Sequence, residues 1–336
     1  MVTIREIAQK SGYSQATVSR LLNGDPTLSV REATRRRIIE ASEELGYAAG
    51  ARRLALPRKV AVLDDFTPVE ELQDAYFDQL RETLERHAKA QNMELVACSG
   101  VDDMIAEAGE YDGFIATGPE APSFDDLKRL HELLPNGVFV DINPAPNLFD
   151  SVRPDLSQTI LDALDSLTAA GMRRIGFIGG TGETMGQYRR QEDPRLLAFR
   201  EWSARLGVDC DGLVYAEGPF TVDNGRDMAA RMLADHADDL PDAVIVAADP
   251  IAVGALQACA AAGVLVPHDM ALVSINDQTI ARYTSPPLTT FAIDLDDLAA
   301  SAITMLAESI AERRRVRHHL LISTSMTVRG SFVPAH

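Results

Sequence analysis

The chain has 336 residues, 46% of them hydrophobic, which suits a globular protein of two or three domains. No apolar run approaches the roughly 18–20 residues of a membrane span, and residues 1–24 lack the apolar core of a signal peptide. The three cysteines, Cys98, Cys210 and Cys259, lie far apart. We therefore expect a cytoplasmic protein with no disulfide framework, no metal site and no other cofactor.

Charge is distributed unevenly along the chain. The formal net charge is −18, yet residues 1–60 contain 11 basic and only 6 acidic side chains. The rest of the chain contains 21 basic and 44 acidic side chains. A basic head on an acidic body indicates either a local contact with a polyanion or a chance cluster of solvated arginines.

Three short helices are predicted in the head. Thr3 begins the first through a capping box with Glu6, in which each residue satisfies a backbone N–H of the other. Ser14 is a good N-cap for the second helix, and Ser29 begins the third through a capping box with Glu32. The pattern predicts a small three-helix domain.

The second of these helices has a polar outer face. Val18, Leu21 and Leu22 have the spacing of a buried face. The other side chains are small, polar or charged: Gln15, Ala16, Thr17, Ser19 and Arg20. Such a face suits either an ordinary surface helix or a recognition helix whose first residues reach base edges in the major groove.

The head also contains specific motifs, namely A-T-V-S-R-L-L-N at 16–23, R-E-A-T-R-R-R-I at 31–38 and E-L-G-Y at 44–47. By these motifs it resembles the DNA-binding head of the lactose-repressor/galactose-repressor family. The resemblance implies that Gln15 and Ala16 select the operator, and that Arg20 contacts a base or the backbone. The further residues implied to contact DNA are Thr3, Ser14, Thr17, Ser19 and Asn23.

A hinge helix that inserts a leucine into the minor groove follows the head in that family. Residues 48–57 occupy this place, and Arg52 and Arg53 suit phosphate contacts. Leu54 and Leu56 are equal candidates for the inserted leucine, and a plain linker remains an alternative. We expect a helix-turn-helix domain over residues 1–47, a hinge or linker over 48–58, and an effector-binding and dimerisation domain over 59–336.

The body alternates short apolar runs with amphipathic helices, which predicts βαβ units and parallel sheets. Strands are predicted at 60–63, 94–97, 113–116, 138–141, 175–178, 244–247 and 271–275. Helices are predicted at 70–90, 156–170, 194–206, 221–235, 250–262 and 295–313. The fold class expected for the whole chain is therefore α/β, with a three-helix domain at the N-terminus.

Ligands of parallel sheets bind at the carboxyl ends of the strands. The candidate side chains that follow these strands are Asp141, Arg195, Phe220, Asp249, Asn276 and Asp277. Carboxylates, amides and an arginine fork suit the hydroxyl groups of a sugar, and an aromatic ring can cover its C–H face. The alternative for each is a strand-end cap or a salt bridge between lobes.

The family resemblance continues through R-R-I-G-F-I-G-G at 173–180, D-P-R-L-L-A-F at 193–199 and V-S-I-N-D at 273–277. It implies a two-lobed body similar to type I periplasmic sugar-binding proteins, with three crossovers and the six candidate residues around the effector. The body departs from the family pattern at Ala248, where an Asn is usual, and at Asn276, where an Asp is usual. Several motifs resemble members that regulate β-galactosidase genes, which implies a galactoside-type effector by analogy.

Other classes of protein fit less well. The glycine cluster at 176–182 is not a complete phosphate-binding motif, so a turn is favoured over a phosphate cradle. The sequence lacks G-x-S-x-G and H-E-x-x-H motifs, which argues against a sugar-processing enzyme, and a secreted sugar-binding protein would not explain the basic head.

A head of this size reads one half-site, so we expect a homodimer on a palindromic double-stranded operator. A leucine heptad for tetramers is not evident after Gly330. Whether a sugar releases the protein from DNA or promotes its binding stays open, with a released repressor favoured.

Overall fold

The fold is taken from a computed structural model of the chain. It describes residues 3–22, 28, 30–45, 58–64, 71–118, 122–181, 183–184, 191–312, 314 and 316–334. The expected hinge at 48–57 and the DNA-contact candidates Asn23, Arg52, Arg53, Leu54 and Leu56 lie outside the described residues, as does Ser29.

The head consists of three helices, α1 (Ile4–Ser11), α2 (Gln15–Leu22) and α3 (Glu32–Glu44). The capping box predicted for α1 is confirmed, because Glu6 N donates to Thr3 Oγ1 at 3.3 Å and Thr3 N donates to Glu6 Oε2 at 2.7 Å. Ser14 caps α2, accepting from the N–H of Thr17 at 3.1 Å.

The head has its own small core. Its buried apolar residues are Ile7, Ala8, Val18, Leu21, Leu22, Ile38, Ile39 and Ala41. These side chains come from all three helices, so the helices hold one another in place although each is short. Val18, Leu21 and Leu22 form the buried face of α2, as predicted. The polar face of the helix therefore points outward.

The body is built on two six-stranded sheets. The sheet of the first lobe has the order β13-β5-β4-β3-β1-β2, with all strands parallel. Its strands are β1 (Arg58–Asp64), β2 (Met93–Cys98), β3 (Gly113–Thr117), β4 (Gly137–Val140), β5 (Asp150–Pro154) and β13 (His319–Ile322).

The sheet of the second lobe has the order β14-β12-β11-β10-β6-β9, and only β14 is antiparallel to its neighbour. Its strands are β6 (Ile175–Gly179), β9 (Val214–Ala216), β10 (Ala243–Val246), β11 (Ala271–Asn276), β12 (Thr289–Ala292) and β14 (Ser325–Thr327). A short hairpin of β7 (Glu183–Thr184) and β8 (Gln191–Glu192) lies outside both sheets.

Helices connect the strands, as parallel pairing requires. In the first lobe they are α4 (Glu71–Ala90), α5 (Val101–Ala106), α6 (Phe124–Leu133) and α11 (Leu295–Glu312). In the second lobe they are α7 (Leu156–Ala169), α8 (Pro194–Leu206), α9 (Val222–Asp235) and α10 (Asp249–Ala262). The α/β class and every strand and helix predicted in the body are confirmed, with ends that differ by one or two residues.

The chain passes between the lobes three times, after β5, after β12 and after β13. The implied two-lobed architecture with three crossovers is therefore confirmed. The carboxyl ends of the parallel strands of both sheets lead toward these crossovers, so the loops that follow the strands meet between the lobes. Residues of both lobes can therefore contact one ligand.

Strand β5 was not predicted, because Asp150 and Ser151 are polar and Pro154 ends the run. Both polar side chains are nevertheless buried, at 1% and 0% exposure. Asp150 forms an ion pair with Arg314 at 2.9 Å, and Ser151 hydrogen-bonds the His319 ring at 3.0 Å. Partners that are distant in sequence thus permit a polar strand inside the sheet.

Helices α9 and α10 approach so closely that their backbones touch at two glycines. A Cβ atom at Gly254 would lie 2.0 Å from the carbonyl oxygen of Val222, and one at Gly225 would lie 2.2 Å from that of Ile251. Any side chain at these positions must push the helices apart.

Gly254→Ala should lower the free energy of unfolding by about 1–3 kcal/mol, because the added methyl group meets backbone atoms that cannot rotate away. The intrinsic helix preference of alanine acts in the opposite direction, so a net loss identifies the clash. Urea denaturation followed by circular dichroism measures the change. Gly109→Ala is the control, since a Cβ atom there meets nothing within 4 Å. Equal stability of both variants would contradict this account of the packing.

Candidate functional site

The first lobe contributes a half-buried acid to the cleft. Asp141 directly follows β4, in a left-handed backbone conformation with φ of 75°. The hydroxyl of Tyr76, on α4, donates to Asp141 Oδ1 at 3.0 Å. Burial raises the pKa of Asp141, and Arg195 of the other lobe opposes this by lowering it. Burial also raises the pKa of Tyr76, which keeps its hydroxyl protonated as a donor.

The second lobe contributes Arg195, near the start of α8. Its Nε and Nη2 atoms donate to the two carboxylate oxygens of Asp193, at 2.8 and 2.6 Å. Its Nη1 atom donates to the carbonyl oxygen of Ala247 at 2.8 Å. Burial by itself would lower the pKa of Arg195, but the acidic groups around it, first Asp193 and then Asp141, together outweigh burial and the pKa is raised.

The guanidinium group is thereby fixed in position. Asp193 is only 4% exposed and also caps α8, accepting from the backbone N–H of Arg195 at 2.8 Å. The contacts with Asp193 and Ala247 use three of the five guanidinium N–H groups. Among the described residues, the other two N–H groups have no recorded acceptor and can donate to a ligand. Arg195 is a rigid donor beside Asp141.

Phe220 lies against this arginine. The centre of its ring is 4.7 Å from Arg195 Cζ, a cation–π distance. A Cβ atom at position 180 would lie 2.6 Å from the ring, so only glycine leaves room for it. The structure thus brings three of the six candidates, Asp141, Arg195 and Phe220, into one place.

Asp249 has a different environment from the one its sequence position suggested. It is fully buried at the start of α10, and its oxygens accept from Ser274 Oγ, from Thr290 Oγ1 at 3.0 Å and from Gln278 N at 2.6 Å. Burial raises its pKa to about 6. Its contacts hold the segment after β11 in place, which is the strand-end cap considered as the alternative.

The two neighbours at the end of β11 also differ from each other. Asp277 forms an ion pair with Arg329 at 2.5 Å and accepts from Thr327 Oγ1 at 3.3 Å, so its carboxylate is taken up by the second lobe. Asn276 is half-buried, with φ of 111°, and lines a cavity together with Tyr76. Among the described non-glycine residues, positive φ occurs at Asn92 and at three cleft residues, which is where backbone strain is expected.

The sequence argument missed Tyr76, Asp193 and Arg153. Asp193 precedes Pro194 as an N-cap, a pattern that could have been recognised beside Arg195. Arg153 lies on β5, where burial lowers its pKa and Asp141 opposes the shift. Its buried Nε atom has no hydrogen-bond partner among the described residues. Tyr76 carries no local signal, because only the fold brings α4 beside β4.

The outer face of α2 is accessible in the head. Gln15, Ala16 and Arg20 are exposed, and Thr17 and Ser19 are half-buried. The hydroxyl groups of Ser14 and Thr17 hydrogen-bond each other at 2.8 Å. The predicted recognition face is therefore accessible along α2.

Among the described residues, no group of three or more His, Cys, Asp or Glu side chains is arranged to hold a metal ion. No helix in the described ranges has the length and apolar character needed to cross a bilayer.

A basic helix-turn-helix head and a two-lobed body with a polar cleft define a ligand-responsive DNA-binding regulator. Residues 3–49 match the family of bacterial regulatory proteins named lacI, and residues 164–332 match a periplasmic binding protein-like domain. The chain is 39% identical to the helix-turn-helix transcriptional regulator LacR of Lactobacillus helveticus, over 99% of each chain. It therefore belongs to the LacI family of transcription regulators, which are not enzymes.

Solved structures of similar fold cover nearly the whole chain. The transcriptional regulator CelR in complex with cellobiose has a TM-score of 0.68 at 24% identity, over 99% of this chain and 100% of CelR. The Lac repressor dimer bound to operator and the anti-inducer ONPF has a TM-score of 0.67 at 21% identity, over 98% of each chain. At these identities the structures establish the fold.

The raised pKa of Asp249 predicts a pH-dependent stability. The unfolded carboxyl titrates near 3.9 and the folded one at about 6, so the folded state favours the protonated acid. Its contribution to the free energy of unfolding is complete below about pH 4 and is lost as pH rises through about 6, by about 3 kcal/mol.

Asp249→Asn should abolish this loss, since its amide can accept from Gln278 N and donate to the two hydroxyl groups. Urea denaturation at pH 4.5, 5.5 and 7 should therefore show the variant gaining on the wild type as pH rises. Asp125→Asn, at a carboxylate that is 90% exposed, is the control. A difference between Asp249→Asn and the wild type that does not change with pH would contradict the prediction.

Proposed function

We propose that the chain is a cytoplasmic repressor that binds a palindromic operator as a homodimer and is released by a small sugar in the interlobe cleft. The helix-turn-helix domain comprises residues 1–47, the hinge 48–58 and the effector-binding and dimerisation domain 59–336. By the analogy of its motifs, the sugar is a galactoside.

The observation that carries this proposal is the fixed guanidinium group of Arg195. Two N–H groups remain to donate, the ring of Phe220 lies 4.7 Å away, and Asp141 approaches from the other lobe. A polyol offers hydroxyl oxygens to the arginine, hydroxyl donors to the acid and C–H groups to the ring. The alternative is an interlobe ion pair that only closes the cleft.

One further residue, Asn276, completes the proposed pocket, and two acids position it. Asn276 supplies an amide that can both donate to and accept from hydroxyl groups. Asp249 and Asp277 act by positioning Asn276 and its loop, through Gln278 and Arg329, instead of contacting the sugar themselves. This assignment differs from their place among the direct ligands expected from the family resemblance.

A sugar that contacts Asp141 and Arg195 together contacts both lobes. It therefore binds most tightly to one arrangement of the lobes and shifts the population toward it. Release from DNA requires that this arrangement hold the two heads away from the operator, because equal affinity for both states shifts nothing. CelR bound to cellobiose and the Lac repressor dimer on its operator are relatives in fold that support the two halves of the proposal.

In the head, we assign base selection to Gln15 and Ala16, which are exposed at the start of α2. Arg20 contacts a base or the backbone. Phosphate contacts are assigned to polar groups around this helix, namely Thr3, Ser14, Thr17, Ser19 and Asn23. In the hinge, Arg52 and Arg53 contact phosphates and either Leu54 or Leu56 enters the minor groove.

Arg195→Ala should weaken sugar binding by about 1–3 kcal/mol or more, roughly ten- to a hundredfold, because the acceptors it served are left unpaired in a buried site. The variant should still bind operator with wild-type affinity but should no longer be released by sugar. Calorimetry with galactosides and electrophoretic mobility shift with operator DNA measure the two properties.

Arg205→Ala is the matched control, because this arginine lies on the same helix with its side chain 62% exposed. It should respond to sugar as the wild type does. A normal response of Arg195→Ala would remove the proposed pocket. Equal affinity for galactosides and glucosides would remove only the galactoside assignment.

Exchanging Gln15 and Ala16 for other residues should change the preferred half-site, with about 1–3 kcal/mol of discrimination for each good base contact. Selection of binding sites from random DNA measures the preference. Lys10→Ala, at an exposed residue paired with Glu44, is the control and should retain the original consensus. An unchanged consensus after both substitutions would place the recognition surface elsewhere.

A further inference from the structure

One stretch of the acidic body is strongly basic. Residues 313–319 read R-R-R-V-R-H-H, with four arginines, two histidines and no acid, whereas the chain after position 60 has 21 basic and 44 acidic side chains. The stretch joins α11 to β13, and the structure describes Arg314 and residues 316–319 of it. Neither the recognition helix nor the sugar pocket uses these residues. Because a run of like charge is often only a solvated surface, its place in the fold decides what it can bind.

Arg314 holds this stretch against the first lobe. Its Nη2 atom donates to Asp150 Oδ2 at 2.9 Å and to the carbonyl oxygen of Met305 at 3.2 Å. The side chains of Arg314 and Asp150 are only 11% and 1% exposed. The backbone N–H of His318 donates to Oδ1 of the same carboxylate at 2.8 Å. The charge of Arg314 is therefore compensated, and the residues that follow it are fixed at the start of β5.

Arg317 is the next positive charge that the structure describes. It is half-buried, and its Nη1 atom donates to the carbonyl oxygen of Pro135 at 3.4 Å, a long hydrogen bond. Within the described residues, no ion pair compensates its charge. Its guanidinium group therefore retains N–H groups that can donate to an anion.

These contacts place Arg317 at the amino ends of the strands of the first lobe. Pro135 precedes β4 by two residues, and β4 lies two strands from β1 in the sheet. The starts of β4 and β1 are therefore about 10 Å apart. Since the strands are parallel, Arg58 and Lys59 of β1 lie at this same end. Arg58 also contacts α11, because its Nη1 atom donates to the carbonyl oxygen of Ala307 at 3.0 Å.

The hinge brings this end of the lobe close to DNA. In the proposed function, Leu54 or Leu56 enters the minor groove, and Arg58 follows by four or two residues. Four residues span at most about 14 Å. The amino ends of the strands are therefore held beside the duplex, whose phosphate groups form a dense negative surface.

We infer that this end of the first lobe binds phosphate groups of the operator through Arg317 and Lys59, in addition to the contacts of the head and the hinge. Lys59 suits this role because its ammonium group lies 5.7 Å from the ring centre of Tyr111, at the start of the sheet. DNA is the occupant that the position favours, since the hinge delivers it to this surface. Cations here also offset the repulsion between the acidic body and the phosphates. The inference rests on the proposed hinge insertion and adds a contact made by the body.

The test is fluorescence anisotropy of labelled operator with the full-length protein at 50 and 200 mM salt. Arg317→Glu and, separately, Lys59→Glu should weaken binding, and more so at 50 mM salt. The fall in affinity between the two salt concentrations should be about threefold smaller for each phosphate contact that is lost. Random-sequence DNA should show the same loss, because phosphate contacts carry no sequence information.

Arg205→Glu is the matched control, because it makes the same change of net charge in the second lobe, at a side chain that is 62% exposed. It should bind DNA as the wild type does at both salt concentrations. Glu132→Gln removes an exposed acid which, like Arg317, acts on the pKa of His131, and it should strengthen binding.

Equal losses in Arg317→Glu and Arg205→Glu would overturn the inference, because the loss would then reflect net charge alone. Wild-type affinity of both Arg317→Glu and Lys59→Glu at 50 mM salt would also overturn it and would leave the proposed function in place. If the wild-type protein bound operator and random-sequence DNA equally, the proposed function would fail before the variants were compared. Melting temperatures of the four variants near that of the wild type show that the fold is retained.

Discussion

The cleft is organised by the need to compensate the positive charge of Arg195, whose side chain is only 14% exposed. Taking the guanidinium group of Arg195 out of water is costly unless its N–H groups find acceptors. Asp193 supplies two acceptor oxygens, and the carbonyl group of Ala247 supplies a third. Asp193 is itself held as the cap of α8, so the charge and its partner are fixed by the same turn of helix. The remaining N–H groups can then recognise a ligand without first losing side-chain freedom.

In the opposite lobe, the carboxylate of Asp141 interacts with the same positive charge. Asp141 is half-buried in a left-handed backbone conformation, and Tyr76 and Arg195 favour its ionised form. Arg195 belongs to the other lobe, and three chain segments join the two sheets. A ligand placed between the two groups therefore acts on the arrangement of the lobes, which is the property that a ligand-responsive regulator needs.

The head and the body of the chain also differ in net charge. The residues after position 60 have a large excess of acid, whereas the first 60 have an excess of base. Within about 8–10 Å, the screening length at physiological salt, the acidic body repels phosphate groups and the head attracts them. Electrostatics thus favours orientations of the protein that turn the head, and not the body, toward DNA.

The sequence by itself determined the helices of the head, the strand-helix alternation of the body and the positions that follow each strand, because these depend on local periodicity and caps. It therefore predicted Asp141, Arg195 and Phe220 as neighbours of one cleft. Only the tertiary structure decided which of these polar residues are held by other side chains of the protein. Asp249 and Asp277 have the same sequence signal as Asp141, yet Ser274, Thr290 and Arg329 occupy their oxygens. For the same physical reason, the sequence did not predict Tyr76 as a site residue or β5 as a strand. Their partners are brought to them by packing between segments far apart in the chain.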